Sequence, residues 1–433
     1  MHQSGKPIGF WSAIALGMGS MIGAGIFALL GQAGAIAGSA TYLSFLVGGV
    51  VALLSGYSLS RLGVRYPSAG GIVEYLAQCY GEGLFSGAMS IVLYIAGIVS
   101  IALIARTFGS YAASLLPPTM TAIAVPVLSS GIVILLMWIN LEGARNMARL
   151  ENVIVASKVS VLVALAIVGL WFVQPELLSP ADYPGTDMII FSLGITFFAY
   201  EGFRVITNTA EDMETPETTL PRAMLTSILL VMVLYIAVAL AVFGNLPADE
   251  VIAAKDFALA AAARPVFGQY GFTAVAVAAL VSTASAINAS LYSVTNITYQ
   301  MARNGELPNA FAEPVAHSRE GLVISTVLIV ILAIAFDLSE IAAIGSISVL
   351  LVHGIVHVGH LAKTGETGAS RMLVVLAIMA TLGALTAATI YLIGKSPKAI
   401  WSVAAFVLIA FVLEVFLRRV RGRVVSVRTP SQT

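Results

Sequence analysis

Cysteine is almost missing from this chain: Cys79 is the only one in 433 residues, which excludes an intramolecular disulfide framework and any cysteine-based metal cluster. Charge is scarce too. Asp, Glu, Lys and Arg make up 10% of the residues, against about 25% in a typical soluble domain. The start, Met1 to Lys6, has no small-residue cleavage pattern before the first apolar stretch, so that stretch is expected to be retained as a helix rather than removed as a signal peptide. The chain also lacks a paired nucleophile and base, or a ligand set, at membrane depth, which argues against an intramembrane enzyme. What the sequence has is apolar length: 59% of residues are hydrophobic, in runs that repeatedly exceed the roughly 18 residues needed to cross a bilayer. These features predict an all-α, polytopic membrane protein.

Twelve spans are expected, at 10–37, 41–62, 84–115, 122–140, 152–173, 188–209, 222–243, 270–303, 322–336, 341–361, 372–393 and 400–417. Arg61, Arg65, Arg145, Arg149, Arg319, Lys363 and Arg371 then fall on one side, and only Lys255, Arg264, Lys395 and Lys398 on the other. By the positive-inside rule both termini are cytoplasmic. The basic tail, 418–433, reads as a topology anchor rather than a nucleic-acid site. The stretch from Leu246 to Gly268 reads as an external segment with short helices that caps a pathway. Asn288-Ala289-Ser290 and Asn296-Ile297-Thr298 lie inside the eighth span and are not glycosylation acceptors, which must be exposed in an external loop.

Two spans carry glycine-rich points, Met21-Ile22-Gly23-Ala24-Gly25-Ile26-Phe27 and Phe198-Ala199-Tyr200-Glu201-Gly202-Phe203. Unwound backbone inside a bilayer is tolerated only where it lines a cavity or meets a ligand. Two such breaks at comparable places in two halves predict a secondary transporter built from inverted repeats, 10–173 and 188–361, with peripheral helices at 372–417. An unwound first span would offer N–H groups and a positive dipole end to a carboxylate, and the carbonyls around Gly17 to Ile22 to an ammonium group. The competing reading of Gly17, Gly19 and Gly23 is close helix packing. At the second point Phe197, Phe198, Tyr200 and Phe203 offer apolar surface to a substrate side chain, or plain packing, and Phe198 and Tyr200 are also candidate gate residues beside Arg106 and Arg204.

Lys158 sits within the fifth span, where a cation costs about 2.5 to 3.5 kcal/mol on insertion scales. It must face the bundle interior. Desolvation favours its neutral form and nearby carbonyls its charged form, so its proton affinity can follow opening and closing of a pathway; the alternative is a structural lysine that snorkels or donates to carbonyls. Glu201 and Arg204, three apart, read as a gate pair, with substrate selection and proton transfer as other roles for Glu201. Arg106 belongs to an external vestibule. Ser282, Thr283 and Ser285 put hydroxyls on the eighth span, either bonded back to their own helix or supporting Lys158. His353 and His357 stand four apart with His360 nearby, a spacing open to a metal; with no cysteine or carboxylate converging on them, packing or a cytoplasmic mouth is the expected role and no metal is expected.

With Pro67-Ser68-Ala69-Gly70-Gly71, the run from Glu211 to Pro216, Leu220-Pro221-Arg222-Ala223 and Arg303-Asn304-Gly305-Glu306-Leu307-Pro308 added to the two glycine motifs, nearly the whole chain resembles the amino acid-polyamine-organocation transporter family. It is most similar to prokaryotic broad-specificity, proton-coupled members, in which a fifth-span lysine replaces a sodium ion. The resemblance implies the leucine-transporter fold with a five-plus-five inverted repeat. It implies substrate contacts from Ile22, Gly23, Ala24, Gly25, Phe197, Ala199 and Gly202, and the Gly19 carbonyl as partner of Lys158. In the family the position of Glu201 usually carries an uncharged residue, and a glutamate often follows the Gly-Phe pair where Arg204 stands here.

The expected function is therefore movement of amino acids across the cytoplasmic membrane by alternating access, with a proton as driving ion and no cofactor. An exchanger of amino acid against amine or polyamine is the alternative. A channel is disfavoured, since ion pores use rings of carbonyls or charge arranged by symmetry.

Overall fold

The computed structural model describes residues 7–142, 147–303, 307, 311, 313–315 and 318–421, with the side chains of Ala24, residues 147–153, Asn296, Gln300, Arg303, Val420 and Arg421 left aside. Arg145, the end of the basic tail and most of the motif after Arg303 lie outside the described residues. The chain is built from α1 (Phe10–Ala37), α2 (Thr41–Arg65), α3 (Ile72–Tyr80), α4 (Leu84–Ala113), α5 (Thr121–Glu142), α6 (Met147–Trp171), α7 (Thr186–Phe191) and α8 (Leu193–Tyr200). A 3₁₀ segment (Glu201–Asp212) continues from α8. Then come α9 (Pro216–Phe243), α10 (Ala248–Ala253), α11 (Ala258–Arg303), α12 (Glu320–Ala335), α13 (Leu338–Thr367), α14 (Arg371–Lys395) and α15 (Pro397–Arg421). Among the described residues the only strands are a two-residue pair, Pro314–Val315 against Ser318–Arg319.

Each of the twelve expected spans coincides with one of these helical stretches. Among the described residues ten stretches are long and apolar enough to cross a membrane, while the first half of α1 (Phe10–Gly23) and α12 (Glu320–Ala335) are shorter apolar stretches. The outward faces carry large apolar side chains, such as Ile123, Trp138, Met372, Ile393, Trp401 and Phe416. Such continuous exposed apolar surface suits lipid rather than water. The centre is α1, packed against α6, α8, the 3₁₀ segment, α9 and α11. By contrast α15 lies at the side, against α4, α13 and α14.

The first glycine point differs from the expectation. α1 runs as one helix through Met21 to Phe27, so the backbone there keeps its helical partners and no free N–H groups face a cavity. Glycine permits unwinding without requiring it. Here its smallness is used for contact. A β-carbon at Gly23 would overlap that of Ala286, and one at Gly25 would overlap the Ala199 carbonyl and the Tyr235 hydroxyl. The packing reading of these glycines is the one the structure supports.

The second point does break. α-Helical bonding ends at Tyr200 and gives way to twelve residues of 3₁₀ helix, where runs beyond three or four are uncommon. Two hydroxyls support the tighter winding by bonding three residues back, Thr207 Oγ1 to the Arg204 carbonyl at 2.6 Å and Thr209 Oγ1 to the Ile206 carbonyl at 2.8 Å. Such local bonds compete with α-helical geometry.

The eighth span begins where Gly268 takes a positive φ of 63° within α11, a conformation that costs glycine little. Ahead of it α10 and the turn Lys255–Phe257 fold over one end of α1. Gly31 leaves no room there for a side chain against the Lys255 carbonyl. Gln32 donates to Asp256 at 2.8 Å and accepts from Ser339 at 2.8 Å, while Lys255 donates to Ser339 at 2.9 Å.

Candidate binding site

The sixth expected span crosses α1 at two glycines. Gly25 of α1 abuts the Ala199 carbonyl, and Gly202 abuts the α1 backbone, where its β-carbon would stand 2.6 Å from the Met21 nitrogen. Residue number rises along one helix as it falls along the other, so the two run antiparallel. Ile22, Phe197, Ala199 and Phe203 are buried at this crossing, with the Phe197 and Phe203 rings edge to face at 6.5 Å.

Lys158 reaches the crossing from α6. It is 3% exposed, and its Nζ donates to the Gly19 carbonyl of α1 at 2.6 Å. A carbonyl oxygen has two lone pairs, so one in a helix can accept from its own turn and from a side chain as well. The same Nζ lies 3.6 Å from where a β-carbon of Gly23 would stand. The bond offsets part of the cost of taking the amine out of water.

Glu201 and Arg204 also come together, with Arg204 Nε donating to Glu201 Oε1. The 3₁₀ winding explains the alignment, since three residues per turn place positions i and i+3 directly above one another.

This arrangement of an apolar crossing, a buried amine and an ion pair can be set beside known proteins. A family model described as amino acid permease matches residues 8–416. The chain belongs to that family. Among relatives of this permease, the inner membrane transport protein YbaT of Escherichia coli (strain K12) is 37% identical over 354 residues, covering 81% of this chain and 82% of that protein. The serine/threonine exchanger SteT of Bacillus subtilis (strain 168) is 29% identical over 324 residues, 72% and 71% of the two chains. The methylthioribose transporter of the same strain is 28% identical over 314 residues, 69% and 67%. The permease is thus a multi-pass membrane transporter and not an enzyme.

Other residues singled out in the permease sequence are spread more widely. Phe198 packs against Gly345 of α13, and Tyr200 donates to the Phe45 carbonyl of α2 at 2.9 Å, so these two brace the sixth span against its neighbours. Arg106 donates to the Ala333 carbonyl at 3.2 Å, while its buried Nε has no hydrogen-bond partner. Thr283 Oγ1 bonds back to the Ala279 carbonyl at 2.7 Å, which is the local reading. The Ser282 hydroxyl is buried without a partner. The rings of His353, His357 and His360 face α2 instead of one another's nitrogens, and among the described residues no three His, Cys, Asp or Glu side chains form a group that could hold a metal.

One site residue escaped the sequence reading. Tyr235 of α9 is fully buried, donates to the Met21 carbonyl at 2.7 Å and stands 3.4 Å from the Ala199 carbonyl. It bridges both crossing helices. In sequence it is one tyrosine in an apolar span, with nothing local to set it apart. Tyr235→Phe is expected to lower stability by about 1 kcal/mol, the net worth of one hydrogen bond, and to weaken substrate affinity. Thermal unfolding in detergent and the KM of uptake, measured on the same preparation, check both.

Proposed function

We propose that this permease moves amino acids across the cytoplasmic membrane by alternating access, with a proton coupled through Lys158 and both termini on the cytoplasmic side. The observation that carries this is the Lys158–Gly19 bond: a buried amine tied to the helix that lines the site. When α1 shifts against α6, that bond lengthens or breaks. The balance between desolvation and hydrogen bonding then changes, and the amine binds or releases a proton in step with the movement.

The substrate lies where α1 meets the sixth span, among Ile22, Gly23, Ala24, Gly25, Phe197, Ala199, Glu201 and Gly202. In this reading the glycine contacts describe the site drawn shut, and substrate separates the two helices. The halves 10–173 and 188–361 are read as inverted repeats. Their central spans cross antiparallel through glycine, which supports that organisation. Arg204 and Glu201 serve as an internal gate, and Arg106 belongs to the opposite mouth.

Exchange is a second reading, favoured by the similarity to SteT, a serine/threonine exchanger. It needs no net proton. Counterflow in liposomes with and without a pH gradient separates the two: an imposed gradient accelerates net uptake in a symporter and leaves obligate exchange unchanged.

The substrate class is open to a thermal-shift screen with the twenty amino acids and common polyamines. A ligand at a hundred times its Kd stabilises the folded state by about 2.7 kcal/mol, and several neutral amino acids are expected to register. Hits confined to lysine, arginine or diamines would instead assign Glu201 to cation selection. No stabilisation by any amino acid or amine removes the proposed substrate class.

A further inference from the structure

Many buried hydroxyls here bond back to their own helix, as those of Thr283 and Thr295 do. The α2–α13 interface is different. His353, His357 and His360 stand at i, i+4 and i+7 on α13, which sets their rings along one face, and Ser55 and Ser58 of α2 oppose them. His353 Nδ1 and His357 Nε2 both meet Ser55 Oγ, at 2.8 and 2.9 Å. His357 Nδ1 and His360 Nδ1 both meet Ser58 Oγ, at 2.9 and 2.8 Å. His360 Nε2 then meets Thr367 Oγ1 at 2.9 Å. Imidazole and hydroxyl alternate without a gap, and every member is buried.

The two ends of this row differ. At one, His353 Nε2 is buried with no hydrogen-bond partner, and the ring sits edge-on to Phe197 and Phe203 of the candidate site, at 5.4 and 5.7 Å. At the other, Thr367 lies beside Glu366, a half-exposed carboxylate bonded to Tyr66 and Lys363. Arg61 donates to the carbonyls of Thr367 and Gly368 at that same end. His353 Nε2 is thus the one ring nitrogen of the row without a hydrogen-bond partner, and it lies at the end nearest the candidate site.

We propose that His353, Ser55, His357, Ser58 and His360 form a proton wire between the binding site and the arginine- and lysine-bearing end of the bundle. A neutral imidazole has one donor and one acceptor nitrogen, and a hydroxyl donates once while accepting. With all three rings neutral, every link is therefore satisfied in either of two opposite polarities.

Passage of one proton converts one polarity into the other. His353 Nε2 takes a proton and Nδ1 gives its own to Ser55. Ser55 passes its hydroxyl proton to His357 Nε2, and His357 Nδ1 releases one to Ser58. Ser58 protonates His360 Nδ1, His360 Nε2 protonates Thr367, and the Thr367 hydroxyl proton is released to water at that end. Each ring is left neutral in its other tautomer, and one proton has crossed the row.

Around the row, Arg204 stands near His353 and Arg61 near His360. From α3, Cys79 and Tyr80 press on Gly359, while α14 presents Leu382 and Thr381 at Gly354 and α8 presents Phe198 at Gly345.

This inference rests on the proton-coupled reading above, and its test separates the two. The full chain is reconstituted in vesicles holding a pH-sensitive dye, and an equimolar mixture of the twenty amino acids is added under a potassium diffusion potential. Internal acidification is read beside counterflow of the same mixture in labelled form. His357→Gln and Ser55→Ala are expected to slow acidification by about tenfold or more, the scale of a lost proton-transfer group, with counterflow retained; Ser55→Thr, which keeps the hydroxyl, restores acidification. Acidification as fast in His357→Gln and Ser55→Ala as in the parent chain overturns the wire and leaves the role of Lys158 standing. Equal loss of acidification and counterflow in both variants overturns it as well, marking the row as a fastening. Counterflow without acidification in the parent chain overturns both proposals together.

Discussion

Replacing Lys158 by alanine is expected to abolish uptake driven by a pH gradient while leaving a folded protein that still exchanges amino acid. The lysine contributes a strong bond to the Gly19 carbonyl, worth about 1.5 to 3 kcal/mol as a hydrogen bond to a charged group. Removing it also ends the cost of keeping a polar amine out of water, which is of similar size. The two nearly cancel, and stability changes little. Coupling has no such compensation, because no alanine can bind and release a proton. Gradient-driven uptake should therefore fall at least about tenfold, as for the loss of a single proton-transferring group, and its rise with external acidity should flatten. Initial rates over a range of external pH, paired with counterflow at symmetrical pH, make the comparison. Undiminished gradient-driven uptake in Lys158→Ala would remove this residue from the mechanism.

The second large effect is expected at Gly25. A single methyl there runs into the Ala199 carbonyl and the Tyr235 hydroxyl. A carbonyl held in a packed helix cannot swing aside as a side-chain tip can, so α1 and the sixth span must separate. Overpacking of this type costs about 1 to 3 kcal/mol, and in this place it also forces the candidate site out of shape. Gly25→Ala should lose most uptake as well as thermal stability. Gly131→Ala in α5 and Gly383→Ala in α14 are the controls, since a β-carbon at either meets nothing within 4 Å. There alanine gains up to about 1 kcal/mol of helix propensity, and uptake should hold. If Gly25→Ala transports like these controls, the crossing is not where substrate passes.

Much of this architecture was legible from residue order. Span positions follow from apolar length, which the bilayer enforces on any chain that crosses it. The place of Lys158 followed from the cost of an ammonium at that depth, and the meeting of Glu201 with Arg204 from a spacing of three. The course of α1 did not follow. Gly23 and Gly25 permit both an unwound and a tightly packed helix, and the choice lies with Ala286, Ala199 and Tyr235, which are distant in sequence. Tyr235 and the serines of α2 were silent for the same reason: a hydroxyl in an apolar span gains meaning only from a partner hundreds of residues away. Ser55 and His353 are 298 positions apart.

The winding of the segment after Tyr200 carries a mechanical consequence. Its twelve residues measure about 24 Å at the 3₁₀ rise of 2.0 Å, where an α-helix would need about 18 Å. Exchange of one winding for the other would change the distance between Glu201 and Asp212 by about 6 Å without breaking the chain's contact with α1 at Gly202. The stretch is held against α1 at Gly202, and at its far end the Asp212 carbonyl accepts from the Ile8 nitrogen at 2.9 Å, so a change of winding would pull on the start of α1.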